Sequence, residues 1–125
     1  MTIDTDRLWE KLYPAAWKLA RSADPIHERL GEAFRAIRDL RGEEFAPESR
    51  IGYNEIVARM TQAGVGTDAS GGKIGAVANT LATMPEEVAS ELAEHIFELF
   101  VQVAELHFGS RPPSRQGQSN PGVIR

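Results

Sequence analysis

The stretch with the clearest chemical suggestion is GVGTDASGGKIG, Gly64 to Gly75, with glycines on either side, hydroxyls between them and a lysine towards the end. A phosphate loop requires glycine, four residues, then glycine, lysine and a hydroxyl residue, because backbone amides wrap the phosphates while the hydroxyl meets magnesium. Here Thr67 occupies the first glycine position and Ile74 stands where serine or threonine is needed. No strand pattern precedes the loop, so spacing, metal ligand and context all depart from a nucleotide cradle. A weaker chemistry survives, in which Ser70, Gly71, Gly72 and Lys73 hold an anion at the start of the next helix, where amides are unpaired and the dipole is positive. The plainer reading is that Ser70 caps that helix and the glycines permit a long turn.

The histidines are His27, His95 and His107. A di-iron bundle needs glutamates three residues before histidines on facing helices. Leu92 and Ala104 hold those positions before His95 and His107, and Asp24 before His27 suits a helix cap. Neither a metal centre nor a cofactor is expected. His95, with Glu91 one turn earlier, reads as a boundary residue; no neighbouring nucleophile suggests acid–base catalysis. Ser70 and Lys73 lie close in sequence, but no set of oxyanion donors accompanies them, so the chain reads as a non-enzyme.

Charge patterning says more. Glu87, Glu91, Glu94, Glu98 and Glu105 recur along one helical face, with no lysine or arginine from Pro85 to Leu106. The usual pairing within a helix is therefore missing. That face is either solvated, balanced by basic residues of the first two helices, or a docking surface for a basic partner or a second copy. Trp9, Tyr13 and Trp17 recur at one-turn spacing; burial in the core or at a subunit contact is the economical reading, whereas an exposed patch would mark an interface.

These residues must be held by helices. Leu8, Leu12, Ala16 and Leu19 make a stripe from about Thr5 to Arg21, crossed by Pro14, where a kink is expected. Asp24 and Pro25 read as the cap and first residue of a second helix carrying Ile26, Leu30, Phe34, Ile37 and Leu40 up to Gly42. Pro47 opens a third, with Tyr53, Ile56, Val57 and Met60 inward and Gly64 as a left-handed terminator. Ile74, Val77 and Leu81 mark a short fourth helix. A capping box at Thr83 and Glu86 starts the longest, in which Val88, Leu92, Ile96, Leu99, Val103 and Leu106 repeat, with Phe97, Phe100 and Val101 widening its apolar face towards neighbours.

The expected fold is all-α, a compact single-domain bundle of about five helices over residues 1–109. Residues 110–125, rich in proline and glycine and without an acidic residue, are expected to form a flexible basic tail. A chain of 125 residues suffices for one core, and the absence of cysteine fits a reducing compartment. The start of the chain resembles neither a signal peptide nor an anchor, and no stretch reaches the length of a span, so a cytoplasmic protein without a membrane partner is expected. A net charge of -4 argues against gripping nucleic acid, and a helix-turn-helix from helices three and four would need a much shorter connection. Basic residues of the first two helices keep a non-specific nucleic-acid mode open. The favoured function is a protein-interaction or regulatory module acting through the acidic helix or through self-association, with a small anion or ligand binder at the glycine-rich loop as the alternative.

Overall fold

The computed structural model describes residues 2–21 and 23–109; the tail expected at 110–125 lies outside them. Five helices run in order, α1 (Thr5–Arg21), α2 (Ile26–Ile37), α3 (Pro47–Met60), α4 (Ala76–Ala82) and α5 (Glu86–Gly109), making the expected all-α bundle. Between α3 and α4 the chain forms an antiparallel pair of two-residue strands, β1 (Gly66–Thr67) and β2 (Lys73–Ile74).

The helices form where apolar spacing is helical. Leu8, Leu12 and Ala15 of α1, Leu30, Phe34 and Ile37 of α2, and Leu92, Ile96, Leu99 and Val103 of α5 are buried together. α5 packs on α1, α2 and α3, while α2 packs on α1, α4 and α5. Asp4 opens α1, its carboxylate accepting the Arg7 amide at 3.1 Å. α1 continues through Pro14, which lies on the exposed side, so its missing donor costs the core no hydrogen bond. α2 starts one residue later than the sequence suggests: Pro25 is the N-cap, and its carbonyl accepts the amides of Glu28 and Arg29. At the same junction Arg29 donates to the Leu19 carbonyl at 2.9 Å, satisfying an acceptor in the last turn of α1.

The α2–α3 connection is fixed to the core by a buried aromatic pair with a hydrogen-bonded hydroxyl. Phe45 and Tyr53 stack with centroids 4.6 Å apart, and both are fully buried. The Tyr53 hydroxyl shares its proton between the carbonyls of Leu40 at 2.6 Å and Ile37 at 2.9 Å, closing the end of α2. Burial, with a smaller contribution from Asp39 and Glu44, pushes its pKa up to about 12. Outside this anchor, Arg7 pairs with Glu44 at 2.6 Å and Lys11 with Asp39 at 2.9 Å, tying α1 to the connection.

Gly64 adopts φ +70, the left-handed conformation expected of it. The β-hairpin that follows is docked on α4 by Thr80, whose hydroxyl accepts the Ala63 amide at 3.0 Å, and by Asn79, whose amide donates to the Gly64 carbonyl at 2.9 Å. Thr83 closes α4 as its C-cap, and α5 begins after Pro85, whose carbonyl accepts the Ala89 amide.

Candidate functional site

The structure separates the two features that the sequence brings forward. In the glycine-rich loop, Lys73 belongs to β2 and the N-cap of α4 is Gly75, so Ser70 does not cap that helix. The reason is local: Asp68 folds its own carboxylate into the turn. One of its oxygens accepts the Ser70 hydroxyl at 2.7 Å, the Gly72 amide at 2.8 Å and the Ser70 amide at 2.9 Å. The Gly71 amide goes to the Asp68 carbonyl at 3.0 Å. A Cβ at Gly72 would lie 2.9 Å from the Asp68 carboxylate, so this closure needs glycine there. The Ser70 hydroxyl, then the Gly72 and Ser70 amides, hold the Asp68 carboxyl below its ordinary range. Of the donors assigned to an external anion, those of Ser70 and Gly72 are thus met by an internal carboxylate and that of Gly71 by a backbone carbonyl, and the negative charge of Asp68 opposes a second anion.

The aromatic residues show the opposite. Sequence spacing favours burial of Trp9, Tyr13 and Trp17, but Tyr13 is 43% and Trp17 48% exposed, with only Trp9 half-buried. Phe97 and Phe108 of α5 are likewise 47% and 48% exposed. The widened apolar face of α5 therefore does not point towards neighbouring helices as expected. Only Phe100 packs partly against the core, while Val101 and Leu106 are also exposed. The stripe of α5 ends inward on His107 instead of Leu106.

These side chains form a continuous strip along the seam of α1 and α5. Trp9 meets Phe108 edge-on at 4.9 Å and Phe100 at 5.4 Å, and stacks on the buried His107 at 5.5 Å. Tyr13 lies 5.2 Å from Trp9 and 6.4 Å from Phe100; Trp17 meets Tyr13 edge-on, and Phe97 lies 5.7 Å from Phe100. His107 fixes the far end, with Nδ1 3.1 Å from the Thr5 hydroxyl and 3.4 Å from the Asp6 carboxylate. At the near end the Arg21 guanidinium lies over the Trp17 ring, 5.7 Å from its centroid.

The glutamates border this strip. Helical spacing puts Glu94, Glu98 and Glu105 beside Phe97, Val101 and Phe108 on α5, and Glu87, Glu91, Glu94, Glu98 and Glu105 are all exposed. Glu91 pairs with Arg59 of α3 at 3.4 Å; the other four have no ion pair among the described residues. The basic residues suggested as their complement are mostly engaged elsewhere: Lys11 by Asp39, Lys18 by Glu32 at 3.7 Å, Arg41 by Glu43 at 3.8 Å and Arg29 by carbonyls. That engagement also thins the cationic surface on which a nucleic-acid mode depends. The β-hairpin occupies the connection between α3 and α4, which the sequence already makes too long for a helix-turn-helix.

The Nε2 of His27 lies 2.6 Å from the Met84 carbonyl and ties α2 to the α4–α5 link. His95 is half-buried. No helix among the described residues is long and apolar enough to cross a membrane. Comparison of the chain with protein-family models, curated proteins and solved structures finds no match.

Proposed function

We propose that this protein is a non-enzymatic helical interaction module of the cytosol, and that its docking surface is the aromatic strip along α1 and α5. The observation that carries this is the near-half exposure of Tyr13, Trp17, Phe97 and Phe108 on one continuous face. Scattered apolar side chains on a surface need no explanation, but a contiguous aromatic face rimmed by charge does. Tyrosine and tryptophan combine large contact area with few rotatable bonds, which is why they dominate the energetic centres of interfaces. The glutamate edge of α5 adds selection, since unpaired carboxylates beside an apolar strip repel acidic surfaces and attract basic ones.

The test is photo-crosslinking in the native cell from positions 17 and 97, with position 28 on α2 as the control. Protein adducts from 17 and 97 but not from 28 are expected. Equal or absent adducts at all three positions contradict a docking strip.

A further inference from the structure

Resting on that reading, we infer that the occupant of the strip is a second copy of this chain, packed so that α1 of each copy lies against α5 of the other in an antiparallel four-helix arrangement. Area and charge both lead to this.

The area is of the right order. An aromatic side chain offers about 150–250 Å², so Tyr13, Trp17, Phe97 and Phe108, each a little under half exposed, present roughly 300–500 Å² per copy. A standard interface takes about 800 Å² from each partner. Trp9, Val101 and the charged rim lie beside these four side chains and extend the covered area towards that figure. A two-fold contact also answers an accounting problem of the surface: the same strip is both patch and complement, so one unmet apolar face covers the other.

Charge chooses the arrangement. α5 carries six glutamates, Glu86, Glu87, Glu91, Glu94, Glu98 and Glu105, and no lysine or arginine. Stacking α5 on its own copy would bring carboxylates against carboxylates with no cation between them. α1 is divided instead: in its first half Asp6 and Glu10 are matched by Arg7 and Lys11, while its last turn carries cations alone, Lys18 and Arg21. Within one copy, the contacts of Trp9 with Phe108 show that α1 and α5 run antiparallel, so the basic end of α1 lies at the level of the acidic first half of α5. A two-fold axis along the helices preserves that level. It carries Arg21 of one copy to Glu94 of the other, with Trp17 and Phe97 between them. Arg21 has no ion pair among the described residues, and Glu94 has none either, so both are available.

Sedimentation equilibrium of the full chain over a wide concentration range reads this out. A reversible monomer–dimer equilibrium is expected, abolished by Trp17→Ala with Phe97→Ala, whose helical circular dichroism is unchanged. Arg21→Glu and Glu94→Arg are each expected to raise the dimer dissociation constant by roughly tenfold, the size of two reversed exposed pairs. Mixing the Arg21→Glu chain with the Glu94→Arg chain restores tight association only if the pair forms between copies, because each chain alone still lacks its internal partner. A dimer weakened by Arg21→Glu but not rescued in the mixture overturns this arrangement. A wild-type chain that stays monomeric overturns the second copy as occupant, while strip-specific crosslinks to another protein would then leave the docking surface standing. A dimer indifferent to Trp17 and Phe97 overturns the second copy on this strip.

Discussion

The Asp68 loop and the α1–α5 strip differ in what each leaves unmet. In the loop, polar groups that look reactive in sequence find one another: the Asp68 carboxylate takes the Ser70 hydroxyl and two amides. Along the strip, aromatic groups that look like ordinary core stay about half in water. A polar turn can satisfy itself within a few residues, because its donors and acceptors share one backbone. An apolar face has no such local solution and needs another surface. Unmet physical demand, rather than suggestive residue type, separates the candidate docking surface from the connector.

The largest effect that sharpens this contrast belongs to the core beneath the strip. Ile96→Ala removes a fully buried side chain of α5 and should cost about 2–5 kcal/mol of unfolding free energy in a urea titration. Next comes the buried aromatic pair. Tyr53→Phe keeps the stacking on Phe45 but leaves the carbonyls of Ile37 and Leu40 without their hydroxyl, a loss of about 1–3 kcal/mol. The wild type has a matching alkaline signature. The folded-state pKa of Tyr53 is raised to about 12, so its contribution is intact below the unfolded value near 10 and declines as pH rises through that interval. Tyr53→Phe should remove that part of the alkaline decline.

Smaller still is the effect on the isolated monomer of Trp17→Ala or Phe97→Ala. At concentrations too low for association, either should change stability by less than about 1 kcal/mol. A core-sized loss at either position would break the comparison, because it would mean that the strip serves the monomer's own packing. The smallest global effect is at Asp68. Asp68→Ala should speed amide exchange at Ser70 and Gly72 while leaving Ala89 to Val103 of α5 protected. Its folded-state pKa is depressed, so the wild-type loop is ordered above the unfolded carboxylate value and loosens as pH falls through the folded one. Loss of protection across α5 in Asp68→Ala would contradict the loop's independence.

Much of this contrast is hidden from sequence for physical reasons. The helices are legible because each carries apolar residues at helical spacing, and Pro47 marks a limit that the structure keeps; Gly64 takes the left-handed conformation expected of it but does not cap α3, which ends earlier at Met60 with Thr61 as its C-cap. The hairpin is not legible, since strands of two residues leave no alternation to read and Ile74 continues the helical spacing of Val77 and Leu81. Closure of the loop by Asp68 leaves only the Asp-Ala-Ser-Gly-Gly order as a trace, which an Asx turn shares with a cap. Exposure of Tyr13, Trp17, Phe97 and Phe108 is the hardest property to foresee. An apolar stripe wider than its neighbours can cover looks the same in sequence as one that is fully covered. His107 shows the converse: a histidine 6% exposed takes the last inward position of α5 because Thr5, Asp6 and Trp9 meet its ring there, and those partners lie at the far end of the chain.

Coverage of the strip by a second copy of the chain is tested most directly by an aromatic carbon–proton spectrum of the full protein followed on dilution from millimolar to low micromolar concentration. The account predicts concentration-dependent resonances at Tyr13, Trp17 and Phe97, with Phe45 and Tyr53 unmoved as internal references. Resonances of the strip that stay as constant on dilution as those of Phe45 would contradict it.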